Sequence, residues 1–359
     1  MERLVDGVCA LPDGRPPWCA GAVVLAGRGP VVAAEAATGW ALRYRAHDPG
    51  RDRGVDLARE RREPMRVGTV FDLASVSKLF TAIAAIQQVE RGRLDLEAEV
   101  ASRLPGFAGS GITVRQLLTH TSGLRPELPF YERDGRAAQL ELLWSEAAAP
   151  EAPPGGTYRY SDLNLIALQL ALEDLTGRGL DVLVRDGITG PLGMSSTSYG
   201  PLAPQGVAAT EDQRRPWAKA DRGMVRGEVH DENAWALGGV AGHAGLFSTA
   251  QDLAVLCRTL LNGGGYGAAR ILGPDGVAAL LDPPGLGFAV DQPYFMGELA
   301  GRGAAGHAGF TGTSVVLDRA TDTFLVLLAN TVHPRRRAGG SAPRAAAATC
   351  LARAAARAG

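Results

Sequence analysis

The hydrophobic periodicity of this chain changes twice along its length, and that double change constrains the fold more than any other feature. Two short apolar runs, Gly21–Ala26 and Val31–Ala37, flank Gly27-Arg28-Gly29-Pro30 and read as a hairpin. From Phe71 the pattern turns helical, with Leu79, Ile83, Ile86 and Val89 recurring at spacings of three and four until Gly92. Thr113–Leu118 predicts a second, short helix. A third carries Leu163, Ile166, Leu168, Leu170 and Leu172 and is ended by Thr176-Gly177, and Leu180–Val184 predicts one more. After Gly238 the strands return. Leu253–Leu261 reads as a helix stopped by Gly263-Gly264-Gly265, and Thr313–Asp318 and Thr323–Ala329 read as two strands joined by Arg319-Ala320-Thr321-Asp322. The alanine-rich tail Ala342–Ala358 predicts a helix packed on the terminal sheet. The charged stretch Ala46 to Arg66 reads as a solvent loop. Strands at both ends around a helical block predict a sheet lobe over residues 1–70 and 238–359, with a helical lobe over 71–237 inserted into it.

Charge and composition mainly exclude partners. With 37 basic against 38 acidic side chains the 359-residue chain carries a formal charge of −1, so no basic face for nucleic acid is expected. The same balance gives no reason for an anionic membrane partner. No apolar stretch approaches the roughly 20 residues that span a bilayer. Cys9, Cys19, Cys257 and Cys350 lie far apart with no metal-ligand spacing, and read as buried thiols of a reducing compartment. Met1 to Asp6 lacks a basic and apolar leader pattern, so a cytoplasmic protein is expected.

Lysine is the scarce residue: only Lys78 and Lys219 occur among the 37 basic side chains. Lys78 follows Ser75 by three places, where the helical pattern begins, and i and i+3 share a helix face. A serine at a helix start also offers its own N–H and the positive dipole end to a developing oxyanion. Arginine cannot release its proton near neutral pH, whereas a desolvated lysine can, and so can serve as base or relay. The competing reading is an ordinary helix start with a surface lysine.

Two more elements stand out. Thr157-Tyr158-Arg159-Tyr160-Ser161-Asp162-Leu163-Asn164 follows the turn Pro153-Pro154-Gly155-Gly156, and either tyrosine could project into a cleft as a proton carrier or simply pack. Gly306-His307-Ala308-Gly309-Phe310-Thr311-Gly312-Thr313 precedes the terminal strand pair, where the glycines would let a ligand approach the backbone. The polar string His230-Asp231-Glu232-Asn233 reads as loop or rim packing. Three consecutive residues of extended backbone cannot all face one ion, so no metal is expected there.

In this order and spacing the elements resemble the serine β-lactamase and penicillin-binding-protein superfamily. The nearest part is the class C-like branch, which also holds family VIII carboxylesterases and D-aminopeptidase-like hydrolases. Ser75-Val76-Ser77-Lys78 matches SxxK, Tyr160-Ser161-Asp162 matches Tyr-x-Asn, and His307-Ala308-Gly309 stands where the family has Lys-Thr-Gly. Leu117 to Leu124 and Gly242 to Thr249 match as supporting stretches, with His120 and His243 expected in hydrogen-bonding roles. The resemblance implies a single α+β domain, an antiparallel sheet flanked by terminal helices plus an all-helical lobe, with the active site in the cleft between them.

It further implies that Ser75 is acylated, Lys78 activates it and Tyr160 moves a proton to the leaving group. The N–H groups of Ser75 and Phe310 would form the oxyanion hole, and His307 and Gly309 would line the substrate side. Two departures matter. Asp162 replaces asparagine, and either faces a cationic or N–H group of the substrate or leaves the amide role to Asn164. His307 replaces the lysine that would hold a β-lactam carboxylate. These departures favour hydrolysis of a small-molecule ester, amide or peptide-like substrate over β-lactam turnover. The alternatives are transfer of the acyl group to an amine, a β-lactamase, and a D-Ala-D-Ala carboxypeptidase or peptidoglycan amidase. More remote are a Schiff-base enzyme using Lys78 and a non-catalytic binder. No cofactor is expected, and the oligomeric state is left open.

Overall fold

The computed structural model describes residues 1–337 and 340–357. Both ends of the chain meet in a seven-stranded antiparallel sheet. Its spatial order is Ala289–Val290, Ala305–Ala308, Ser314–Asp318, Thr323–Ala329, Gly21–Arg28, Val31–Leu42 and Glu63–Pro64. The first long strand thus pairs with the last, Val24 opposite Leu327 and Ala22 opposite Ala329. Gly21–Arg28 reads as a continuous apolar run because both its faces are covered. On one face Val24, Leu325 and Leu327 pack with Leu4 and Val8 of helix α1 (Glu2–Cys9) and with Ala348 and Leu351 of the C-terminal helix Ala342–Arg357. On the other, Val23, Leu25, Val326 and Leu328 join Leu253, Leu256 and Leu260 of the helix Ala250–Leu261. The expected tail helix is present through Arg357, and Ala358 lies outside the described residues.

The helical block centres on α2 (Ser77–Glu90), whose residues from Ser77 to Gln88 are all buried. A helix apolar on every side belongs in the middle of a core, and α2 has α3 (Val114–Leu118), α4 (Arg136–Ala148), α5 (Asp162–Thr176) and α6 (Leu180–Val184) in the same core. A capping box in which Thr113 and Gln116 exchange bonds starts α3.

One expectation needs correction. Ala46 to Arg66 is not an open loop: Tyr44–Asp48 and Arg53–Asp56 pair as an antiparallel ribbon, and Glu63–Pro64 joins the sheet edge. The arginines there pair locally, Arg43 and Arg62 with Asp56, so side-chain charge hid a ribbon whose backbone also donates to Asp212 from His47 and to His333 from Tyr44. The mainly helical region 71–237 also carries short strands. Phe71–Asp72, Leu246–Ser248 and Ser198–Tyr199 form a three-stranded ribbon that fixes the chain just ahead of Ser75. Of the four cysteines, Cys19 and Cys257 are buried, whereas Cys9 and Cys350 are half-buried. No helix among the described residues is long and apolar enough to cross a membrane.

Candidate active site

Ser75 sits on a strained turn. Ala74, immediately before it, has φ of +47°, in the left-handed region that costs a side-chain-bearing residue roughly 1 kcal/mol or more. The turn persists because its backbone is held from three sides. Asp72 Oδ1 accepts the Ala74 N–H (2.8 Å), Thr311 Oγ1 donates to the Asp72 carbonyl (2.8 Å) and Thr313 Oγ1 donates to the Leu73 carbonyl (2.9 Å). The strand Ala305–Ala308 and the turn after it therefore lie directly against the serine turn.

Gly309 is needed for that approach: a Cβ there would come within 2.4 Å of the Leu73 carbonyl oxygen and 2.1 Å of Thr313 Oγ1. Its own N–H donates to the Thr313 carbonyl, and its carbonyl accepts from Arg344. The expectation that Gly309 opens the backbone to a ligand is thus corrected, since protein groups already occupy both its polar atoms.

Lys78 is fully buried one helical turn after Ser75. Its Nζ donates to Ser75 Oγ (2.9 Å) and to the His243 carbonyl (3.1 Å), and stands 2.8 Å from Asp162 Oδ1. Two hydrogen bonds and one ion pair thus engage the ammonium group. Burial pulls the lysine pKa down, but the charges of Asp162 and then Tyr160 outweigh it and hold Lys78 above the ordinary lysine range. Tyr160 donates to Ser75 Oγ at 3.0 Å, and its ring lies 4.9 Å from the Lys78 ammonium. Burial raises the Tyr160 pKa against the opposing pull of Lys78, so the phenol is neutral near pH 7. Tyr158, the other candidate, is 66% exposed and touches neither Ser75 nor Lys78.

The tyrosine element resolves the choice between Asp162 and Asn164. Asp162 is the first residue of α5 and reaches Lys78. Asn164, expected among the substrate-binding residues, is completely buried and bonds to Ser122 Oγ and His120 Nδ1. Two residues further along a helix the side chain has rotated away from the cleft, which corrects that assignment. His120 Nδ1 also accepts the Ser161 N–H, so His120 supports the segment carrying Tyr160 from behind.

His307 is buried, with its ring 6.0 Å from that of Tyr160 and Nδ1 against the Ala308 carbonyl. Burial, then the Lys78 charge, lowers its pKa to about 4, so no fixed cation stands at this position. Phe310 is 56% exposed at the rim, with its ring stacked on His230 at 5.6 Å and under the Arg336 guanidinium.

The string His230 to Asn233 sends its groups to separate elements. The His230 N–H donates to Asp72 Oδ2 (2.6 Å) and its Nε2 meets Glu211 (2.8 Å). Asp231 caps the helix Glu232–Ala236 and bonds His243 Nε2. Glu232 accepts the Lys219 N–H and an Arg336 donor, and Asn233 accepts the Phe130 N–H. Sequence reasoning missed Asp72, Glu211, Arg336 and the pair Thr311 and Thr313. Only Asp72 carried a signal, a carboxylate inside the apolar run ahead of Ser75.

Asp162, Asp231 and His243 bring potential ligand atoms within 4.8 Å of one another. Their charges are already met from within the protein, Asp162 by Lys78 and Asp231 by His243 and a helix cap, so the set reads as an ion-pair cluster.

These groups border a cleft of about 370 Å³ lined by Ser75, Tyr160, Asp162, Asp231, Phe310 and Arg336 among others. A larger cavity of about 580 Å³ lies at the opposite end of the sheet, near Gly29, Arg258 and Arg319. The smaller cleft holds Ser75 between an ammonium and a phenol, an arrangement chemically suited to attack on an acyl carbon.

Comparisons with known proteins identify the family and the fold. The family described as beta-lactamase matches residues 18–349. A putative D-alanyl-D-alanine carboxypeptidase of Escherichia coli K12 is 34% identical over 307 residues, covering 74% of this chain and 70% of the relative. Among solved structures, EstCE1, described as a hydrolase with promiscuous acyltransferase activity, superposes with a TM-score of 0.72 at 24% identity, covering 98% of each chain. The octameric penicillin-binding protein homologue from Pyrococcus abyssi gives 0.73 at 19% identity, over 98% of this chain and 77% of the other. The chain belongs to the beta-lactamase family, within the serine hydrolase superfamily that includes the penicillin-binding proteins.

Proposed function

We propose that this protein hydrolyses an ester or amide through an acyl-enzyme on Ser75. The observation that carries the reading is the position of Ser75 Oγ, 2.9 Å from Lys78 Nζ and 3.0 Å from Tyr160 OH at the floor of a cleft. In this scheme Ser75 attacks the acyl carbon, Lys78 handles the serine proton and Tyr160 protonates the leaving group. The amides of Ser75 and Phe310 receive the oxyanion. The whole chain works as one catalytic domain, its sheet lobe and helical lobe meeting at the cleft.

The neutral His307 argues for ester or amide substrates over β-lactams, whose carboxylate would find no fixed cation there. The Escherichia coli relative keeps a D-peptide substrate in view, and the description of EstCE1 keeps transfer to an acceptor other than water in view.

The test is mass spectrometry of the intact protein and of Ser75→Ala after exposure to a fluorophosphonate and to a panel of esters, D-residue peptides and β-lactams. Adducts at Ser75 that vanish in the variant are expected. Absence of any adduct from pH 6 to 10, about the range that brackets histidine and tyrosine titration, would refute the serine mechanism. Repeating the reaction with added amines and quantifying acid against amide separates hydrolysis from acyl transfer.

A further inference from the structure

In the resting site Ser75 Oγ accepts hydrogen bonds from both Lys78 and Tyr160. Neither neighbour therefore presents a lone pair to the serine proton. Lys78 donates hydrogen bonds to Ser75 and the His243 carbonyl, forms an ion pair with Asp162, and is sealed from solvent. Of those three partners only Asp162 can take a proton, and it stands at hydrogen-bond distance, 2.8 Å. Its side chain is 21% exposed, on the cleft.

We propose that Asp162, acting through Lys78, is the terminal acceptor of the proton that Ser75 loses. The proposal rests on Ser75 being the nucleophile. A proton first passes from Lys78 Nζ to Asp162 Oδ1, leaving both groups neutral. As Ser75 Oγ bonds to the acyl carbon, its proton moves to Lys78 and the carbonyl oxygen becomes an oxyanion. Collapse then breaks the bond to the leaving group, which takes a proton from Tyr160. Tyr160 recovers a proton from Lys78, and Lys78 recovers one from Asp162, so the resting charges return and the serine proton has left with the product. The asparagine of the family pattern has no ionisable group and cannot play this part. That difference is the physical content of the Asp162 substitution.

Four of the groups around Lys78 are held away from the working range. His120, and His307 from the strand Ala305–Ala308, are lowered to about 3 and about 4, by burial first and then by the Lys78 charge. Asp231, at the cap of the helix Glu232–Ala236, is disfavoured as an anion by burial, but His243 outweighs this and keeps it ionised. Tyr160 is raised. An internal transfer from Lys78 to Asp162 is independent of pH, whereas loss of the Lys78 proton to solvent is not.

The test is the rate of Ser75 acylation by p-nitrophenyl acetate from pH 5 to 10 in the wild type, Asp162→Asn and Asp162→Glu. The wild type should show a flat profile between pH 6 and 8. Asp162→Asn should be slowed about 100-fold at its acidic end, the lower bound of a typical proton-transfer contribution. Its rate should rise about tenfold per pH unit until Lys78 deprotonates, and Asp162→Glu should restore the flat profile. A profile for Asp162→Asn parallel to the wild type, slowed or not, would overturn the proposal. So would a limb of unit slope between pH 6 and 8 in the wild type, which needs no variant to fold. A wild type that Ser75 labelling shows to be inert at every pH would remove the serine reading itself, and this inference with it.

Discussion

One carboxylate, that of Asp72, bonds the Ala74 N–H through Oδ1 and the His230 N–H through Oδ2, at 2.8 and 2.6 Å. It joins the strained turn before Ser75 to the polar loop across the cleft and is itself buried. Burial raises its pKa despite these two bonds. Replacement by asparagine turns one acceptor into a donor facing an N–H. Asp72→Asn should cost about 1–3 kcal/mol in stability, the penalty of an unsatisfied buried donor. It should also slow Ser75 acylation, by an amount a melting curve and a labelling time course would measure together. Unchanged kinetics would show that the Ala74 conformation does not depend on this anchor.

Tyr160→Phe removes one hydroxyl from the cleft and should leave thermal stability near that of the wild type. Acyl-enzyme formation should fall by about 100-fold or more, the usual size of a general acid–base contribution. Burst kinetics with a chromogenic ester would report it. A loss below threefold would reassign the leaving-group proton to another group.

Gly309→Ala places a methyl group 2.1 Å from Thr313 Oγ1 and 2.4 Å from the Leu73 carbonyl oxygen. The strand end and the serine turn must then separate, costing about 1–3 kcal/mol as an overpacked contact. Denaturant unfolding should show a lower midpoint, with activity falling further than stability because Leu73 leads directly to Ser75. Wild-type activity in Gly309→Ala would mean the turn tolerates the shift.

Acid should destabilise the fold well above the carboxylate range. His120, His307 and His333 are buried neutral, lowered by burial to about 3, about 4 and about 3. A histidine with a depressed folded value leaves the unfolded chain holding more protons as pH falls. Its contribution is therefore complete above its ordinary value and declines from about pH 6.5 down to the folded value. At pH 5 each site should have lost on the order of 2 kcal/mol by this linkage. Glu211, where His230 and Arg336 outweigh burial and lower the pKa to about 2, adds a second loss from about pH 4.5 downward. Melting temperatures measured from pH 8 to 4 should drop first between 6.5 and 5. A plateau to pH 5 would contradict the buried neutral histidines.

Arg336→Ala should unfold the rim. Arg336 bonds Glu211 through its own N–H and Nε at 2.8 to 2.9 Å and also pairs with Glu232, both nearly fully buried. Removing one partner of a buried charge network typically costs about 3 kcal/mol or more. The double variant Arg336→Ala with Glu211→Gln should recover part of it, and no recovery would show that the pair is not coupled.

The strand-helix-strand order was legible because periodicity reports which faces are buried, and the sheet strands and α2 and α5 lie deep in the core. The arginine-rich ribbon Tyr44–Asp56 was not, since its strands are mostly half-buried and its arginines answer to local carboxylates rather than to a core. At the site, helical spacing suggested the pairing of Ser75 with Lys78 beside an ordinary helix start, and the resemblance selected between them. The choices of Tyr160 over Tyr158 and of Asp162 over Asn164 depend on where a loop enters a helix, which spacing does not specify. Glu211, Arg336 and Thr313 come from segments more than 100 residues from Ser75, and nothing local in their neighbourhoods distinguishes them.

The pairing of the first and last long strands also bears on how the molecule is made. Gly21 and the Asn330 side chain that receives its N–H are 309 positions apart. During synthesis from the N-terminus, the apolar strand Gly21–Arg28 emerges long before Thr323–Ala329, its neighbour on one edge. It must wait with that edge unpaired, and without the C-terminal helix Ala342–Arg357 on one face, while the whole helical block is translated. High contact order of this kind slows folding, and an exposed apolar edge invites association with other nascent chains. The fold is therefore completed only when the last strand becomes available to the first.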